Sequence, residues 1–337
     1  MSGRAAEFAL IDRIRRRAGK RSDVILGIGD DAALLRVPEG HELVLSTDTL
    51  IAGVHFPIGT SAEDIGWKAL AVNLSDLAAM GAEPTWMSLA LTLPEADEAW
   101  LDGFLDGFCE LADQHRVALV GGDTTRGPLS ITIAAHVVVP AGLALRRDRA
   151  CVNDDVWVTG TLGDAAGALN QWRRQGLQSA KLRYRLDRPT PRVSAGIALR
   201  GLANAAIDLS DGLVADLGHV LDRSSRDVEA DSDRAPISLG AQIDLARLPT
   251  SRTLAEHFAQ DDQRWGLQLA VGDDYELCFT AAPVQALAIE KAMAACATAA
   301  TVIGRITREP GLQLLTPEGE NFEIQNSGYH HFAGALH

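Results

Sequence analysis

Five apolar runs in this chain lead into aspartate, and that recurrence constrains the fold more than any other feature. Leu43-Val44-Leu45 runs into Ser46-Thr47-Asp48, and Val24-Ile25-Leu26 into Gly27-Ile28-Gly29-Asp30-Asp31. Val117 to Val120 leads to Gly121-Gly122-Asp123, Ala205-Ala206-Ile207 to Asp208-Leu209-Ser210-Asp211, and Leu267 to Val271 to Gly272-Asp273-Asp274. Each run is predicted to be a strand with its acidic group at the end. Carboxylates and hydroxyls at a strand end are poor core material. They suit Mg²⁺, which takes oxygen ligands and is shared between one or two carboxylates and a substrate phosphate. The expectation is that these ends converge on metal ions and something anionic.

Length and charge narrow the setting. The 337 residues, 47% apolar and 23% charged, suggest two globular domains. A boundary is expected near 140–153, where Pro140 and Arg146–Arg149 separate two apolar regions, giving an N-terminal domain 1–145 and a C-terminal domain 146–337. A net charge of −14 with no long basic stretch argues against nucleic acid as a partner. An acidic protein that handles phosphates needs cations to reverse the local sign. Cys109, Cys151, Cys278 and Cys296 are far apart and form neither a metal-type pair nor a disulfide pattern, as in a reducing compartment. Residues 1–20 carry no signal-peptide core. The apolar stretch Ile131–Leu145, interrupted by His136 and Pro140, falls short of the roughly 20 residues of a membrane span. A cytoplasmic protein with no membrane partner is expected.

Periodicity and turn residues predict a mixed α/β or α+β chain. In the first half they predict a helix over 4–18, strands over 23–28 and 42–47, and a helix capped by Ser61 that runs to about Met80. Asn73 and Asp76 share a face of that helix. A strand over 86–93, a helix from Pro94, and strands over 117–121 and 130–139 follow, with Gly121–Pro128 as a loop. In the second half a strand over 156–159 leads through Gly160–Gly167 into a helix, and 181–191 reads as a connector. Helices over 192–204 and 213–224 flank the Asp208–Asp211 segment, and 225–265 is hard to read apart from a helical signal at 250–260. A strand over 275–280, a helix over 284–298 and strands over 301–307 and 312–315 complete the chain.

Each motif also has a plainer reading. Gly27-Ile28-Gly29-Asp30-Asp31-Ala32 fits the Gly-x-Gly-x-x-Ala dinucleotide fingerprint, which would make the protein a nicotinamide-dependent oxidoreductase. Asp30 and Asp31 stand where a pyrophosphate would approach and repel it, and a plain structural turn is the better account of the glycines. No Gly-x-x-x-x-Gly-Lys-Ser/Thr sequence occurs, and the nine histidines lack zinc-site spacing. Gly121–Gly127 offers glycine backbone for phosphate, Asp123 for a metal and Arg126 for phosphate oxygens, or is a glycine-rich hairpin. Ser210 or Asp211 fits an N-cap, which leaves Asp208 over. Asp76 is mid-helix, where aspartate has poor propensity. The aspartates could also stabilise folding around a metal without catalysis.

Taken together these segments resemble the thiamine-monophosphate kinase family, of the superfamily that includes aminoimidazole ribonucleotide synthetase and selenophosphate synthetase. The likeness is carried by Gly-Ile-Gly-Asp-Asp-Ala (27–32), Ser-Thr-Asp-Thr-Leu-Ile-Ala-Gly-Val-His-Phe (46–56), and the stretch from Trp67 to Pro84. Gly-Gly-Asp-Thr-Thr-Arg-Gly-Pro (121–128), Ile-Asp-Leu-Ser-Asp-Gly-Leu (207–213), Asp-Asp-Tyr-Glu-Leu (273–277) and Gly-Tyr-His-His-Phe (328–332) extend it along the chain. The resemblance implies a two-domain α/β fold and a homodimer whose N-terminal sheets form a barrel. It implies transfer of the ATP γ-phosphoryl group to thiamine phosphate with several Mg²⁺ ions, giving thiamine diphosphate and ADP. It implies Asp30, Ser46, Thr47, Asp48, Asp76, Asp123, Asp208 and Asp211 as magnesium ligands. It implies ATP contacts at Gly122, Asp123, Arg147 and Ser210, and thiamine phosphate contacts at His55, Asp273 and Tyr329. Asp273 stands where the family usually has glutamate, one methylene longer. An ATP-dependent ligase of the same superfamily is the nearer rival.

Overall fold

The computed structural model describes residues 3–175, 178–225 and 238–324. Contacts divide the chain into two units, Met1–Leu77 with Ala82–Ala144, and Ala78–Gly81 with Leu145–His337.

The first unit contains α1 (Gly3–Arg17), β1 (Val24–Leu26), β2 (Leu34–Leu35), β3 (His41–Ile51), most of α2 (Ala62–Ala79), β4 (Glu83–Leu93), α3 (Glu98–His115), β5 (Ala118–Arg126) and β6 (Ser130–Pro140). Its sheet has the order β3-β6-β4-β5, and β1 and β2 form a separate antiparallel pair. One face buries Leu50, Met87, Leu89, Leu91, Ile131, Ile133 and Ala135, as the two-residue period of strands requires. Glycine lets α2 and α3 cross closely: a Cβ on Gly66 would stand 1.9 Å from the Phe104 carbonyl, and one on Gly107 1.8 Å from that of Glu63. Asp97, rather than Pro94, begins α3, accepting the N–H groups of Ala99 and Trp100.

The second unit contains β7 (Asp155–Thr159), α4 (Asp164–Arg173), α5 (Ala180–Asp187), α6 (Val193–Ala198), β8 (Ala205–Asp208), α7 (Leu213–Ser224), β9 (Gly240–Asp244), α8 (Arg252–His257), α9 (Asp261–Ala270), β10 (Leu277–Ala281), α10 (Ala286–Ala295), β11 (Ala300–Thr307) and β12 (Gly311–Leu315). Its six-stranded sheet has the order β12-β9-β11-β7-β10-β8, parallel only at β12–β9. Val156, Val158, Ile207, Leu217, Ile243, Leu269 and Ile303 belong to its main core.

The strand-end expectation needs correction at three of the five runs. β3 continues through Ser46, Thr47 and Asp48 to Ile51, because all eleven of its residues pair with β6. That ladder overrides the low strand preference of aspartate. β5 runs through the supposed loop to Arg126, held by its parallel pairing with β4. Leu267–Ala270 is the end of helix α9, with Trp265, Leu267 and Leu269 buried, so this short apolar run is helical rather than extended, a difference that length alone does not encode. The supposed connector at 181–191 holds α5, capped by Ser179 and buried through Leu182 and Leu186. Helix α6 is shorter than predicted, and the unread 225–265 region holds β9, α8 and the start of α9.

Candidate functional site

In the first unit the alternation of β3 turns Ser46 and Asp48 to the same side as buried Leu50. On that side the Ser46 hydroxyl donates to the Asp76 carboxylate of α2. Burial, and then the negative charge of Asp76, push the Asp48 carboxyl up to about 7. Two partly buried carboxylates that repel each other, with a hydroxyl beside them, are an oxygen donor set that a hard cation would relieve. Thr47 takes the opposite face, with Thr49, whose hydroxyl hydrogen-bonds that of Thr132 at 2.8 Å. It does not join the Ser46–Asp48 side through its side chain.

The other expected residues of this unit lie elsewhere on it. Asp30 is exposed between β1 and β2, and its carboxylate accepts the N–H of Asp31. Gly27–Ala32 opens no helix and leads instead to β2, so the dinucleotide fingerprint lacks the helix it depends on. His55 is half-buried in the turn after β3, where its Nδ1 accepts the N–H of Ile51 at 3.0 Å. That bond fixes the tautomer carrying its proton on Nε2. Gly122 has φ 149°, and a Cβ there would lie 1.8 Å from the Leu89 carbonyl, so β5 can approach β4 only with glycine at this point. Asp123 follows, exposed, in register with Ala90, Thr132 and Thr49.

In the second unit β8 ends at buried Asp208, and half-buried Ser210 and Asp211 follow. Neither caps α7. The Asp216 carboxylate instead accepts the N–H groups of Ser210, Asp211 and Gly212, each at 3.1 Å. Burial and the Asp211 charge push Asp216 up to about 7, against the opposite pull of those three donors. The segment is tied to the next motif by backbone hydrogen bonds: Asp273 N–H donates to Ser210 and Tyr275 N–H to Leu209, each at 2.9 Å. Both oxygens of fully buried Asp274 accept the Gly163 N–H, and burial holds that carboxyl well above its usual range. Glu276, also buried, accepts two hydrogen bonds from Arg192, one from Arg185 and one from the Thr159 hydroxyl.

Sequence reasoning overlooked Asp216, Asp274, Glu276, Arg185 and Arg192 as a structural set. The available signal was Asp274 and Glu276 in a motif already singled out. Their arginine partners come from residues more than eighty positions away. Arg147 is exposed, and its carbonyl accepts the Ser224 hydroxyl. Tyr329 and the rest of Gly-Tyr-His-His-Phe lie outside the described residues. Among the described residues no group of three or more His, Cys, Asp or Glu side chains is gathered for a metal ion. The Asp48–Asp76 pair is the part of the expected ligand set whose charges meet within the first unit.

A family model, the N-terminal domain of AIR synthase related proteins, matches residues 29–139. The thiamine-monophosphate kinase of Escherichia coli (strain K12) is 46% identical over 337 residues, covering 97% of this chain and 98% of its own. The chain belongs to the thiamine-monophosphate kinase family. Solved members of the family share its fold. The crystal structure of thiamine-monophosphate kinase from Stenotrophomonas maltophilia K279a matches with TM-score 0.83 and 52% identity, over 94% of this chain and 98% of that one. The structure of AaThiL complexed with AMPPCP and TMP matches with TM-score 0.73 and 29% identity, over 98% and 99% of the two chains.

Proposed function

We infer that the protein transfers the γ-phosphoryl group of ATP to thiamine monophosphate, giving thiamine diphosphate and ADP. The observation that carries this is the meeting of Ser46, Asp48 and Asp76, from two family motifs, as a half-buried oxygen donor set with like charges. Both reactants are anionic, and phosphoryl transfer asks a protein for positioning and charge stabilisation rather than covalent chemistry. Bound Mg²⁺ supplies that neutralisation. Ser46 and Asp48 with Asp76 are the side chains of the first unit that would hold it, joined by Asp30 and Asp123 and by the backbone of Thr47. Asp208 and Asp211 take the same role in the second unit, with Ser210, Gly122, Asp123 and Arg147 assigned to ATP. His55 and Asp273, with Tyr329, are assigned to thiamine phosphate. The nucleophile is a phosphate oxygen of the substrate, ionised near neutral pH, so no side chain is needed as general base.

A homodimer built on the first sheet belongs to the same reading. Asp48 and Asp123 sit on β3 and β5, the two outer strands, separated by β6 and β4. Three strand spacings amount to about 14 Å, more than two aspartate side chains and one ion span. A second copy placing its β5 edge beside β3 would close a barrel, with Asp123 on the Thr49 face of the sheet and Asp48 on the Leu50 face. Leu43, Leu45 and Ile51 are exposed along β3, as an uncovered interface would leave them. A cytoplasmic setting fits, and among the described residues no helix is long and apolar enough to cross a membrane.

The test mixes purified protein with ATP, Mg²⁺ and thiamine monophosphate and follows thiamine diphosphate by chromatography, with a chelator arm. Product that disappears with chelator is the expected result. Its absence under all conditions would refute the assignment.

A further inference from the structure

Two of the six non-glycine residues with left-handed backbone among the described residues stand two positions apart, flanking Asp274: Asp273 (φ 62°) and Tyr275 (φ 50°). A bulky side chain seldom occupies that region, and each instance costs on the order of 1–3 kcal/mol. The surrounding structure over-determines both. Asp274 is held on the Gly163 N–H, Glu276 on two arginines and Thr159, and the N–H groups of Asp273 and Tyr275 on the Ser210 and Leu209 carbonyls. Residues 274 and 276 are therefore buried anchors, while 273 and 275 remain half-buried and meet each other. The Tyr275 hydroxyl donates to Asp273 Oδ1 at 3.0 Å.

We propose that Tyr275 is a positioning residue for substrate recognition, its hydroxyl fixing the Asp273 carboxylate where it receives the cationic thiazolium or the donor groups of the aminopyrimidine of thiamine monophosphate. The proposal rests on the kinase assignment above and extends it to a residue that acts through Asp273. A carboxylate one methylene shorter than glutamate reaches less far, so its placement matters more. A phenol held two residues away supplies a charge-assisted hydrogen bond that fixes it. The left-handed turns are what bring side chains of residues i and i+2 into contact here. In an extended strand they would stand about 7 Å apart. The strain is thus spent on one contact between two side chains that the core does not need.

The experiment compares Tyr275→Phe, Asp273→Asn and the double variant with wild type in steady-state kinetics, with melting temperatures as a folding control. Tyr275→Phe should raise KM for thiamine monophosphate about tenfold, the loss of one hydrogen bond to a charged group, with KM for ATP within about twofold. In the Asp273→Asn background it should add nothing, because the hydroxyl acts through that carboxylate. An unmoved KM for thiamine monophosphate, an equal rise in KM for ATP, or full additivity in the double variant overturns the proposal. Should Tyr275→Phe fail to fold, Asp273→Asn carries the test, and an unchanged KM there overturns it equally. Wild-type protein that forms no thiamine diphosphate overturns the kinase assignment and this proposal together. Wild-type turnover with an unmoved Tyr275→Phe overturns this proposal alone.

Discussion

Glu276 of the second unit and Asp48 of the first are treated in opposite ways. In the second unit three buried carboxylates have donors from the protein itself: Glu276 has two arginines and a threonine, Asp274 one N–H, and Asp216 three N–H groups, although the Asp211 charge still raises it. In the first unit Asp48 lies against Asp76, and the charge it feels there is of its own sign. Burying a carboxylate is tolerable when donors surround it and costly when another anion does. The lesson is that a carboxylate answered by arginines acts as architecture, whereas Asp48 is a half-buried carboxylate held against a like charge.

The largest effect expected from this contrast is on Asp76. Asp76→Asn should lower turnover about a thousandfold, the scale of removing a transition-state charge stabiliser. Without Mg²⁺ its melting temperature should hold or rise, since a repulsion has been removed. A fall of more than about 3 °C, on the order of 1 kcal/mol, would show that the pair is architecture after all.

Glu276→Gln should do the reverse. It strips the charge from between Arg192 and Arg185 and should cost about 3 kcal/mol in urea unfolding, the scale of breaking a buried ion pair. Its Mg²⁺ affinity should stay at the wild-type value. A Glu276 variant that unfolds normally but loses Mg²⁺ would erase the distinction between the units.

A smaller effect is the pH dependence. Asp48 has its carboxyl raised to about 7, so protons compete with the cation below that value. Mg²⁺ affinity, read by calorimetry, should climb up to tenfold per pH unit below about 7 and level off above it. In Asp76→Asn the levelling point should move down, because one of its two causes is gone. The sign for stability is opposite. A carboxyl raised on folding contributes stability fully present below its unfolded value, near 4, and lost as pH rises through about 7. Melting temperatures of metal-free protein should therefore decline over that window, and added Mg²⁺ should flatten the decline. The smallest effect falls on Ser46→Ala, which removes one hydroxyl donor from Asp76. It should weaken Mg²⁺ binding by about tenfold, with the wild-type fold intact.

Much of this molecule was written locally in the chain. The Ser61 cap of α2 is visible in sequence and present in the structure, with the Asp64 N–H on the Ser61 hydroxyl. The strand β8 ending at Asp208 and the helix beginning after Gly212 are likewise encoded by neighbours along the chain. The family motifs single out Asp48, Asp76 and Asp273 from sequence alone. Tertiary structure decided what those residues face. Pairing with β6 carried β3 past Asp48, and β4 drew the supposed glycine loop into β5, because ladder hydrogen bonds with distant strands outweigh local propensity. Packing against the second core made a helix of the run that ends at Ala270. Which carboxylates meet arginine and which meet another carboxylate depends on partners brought from far along the chain, and no spacing within a motif records that.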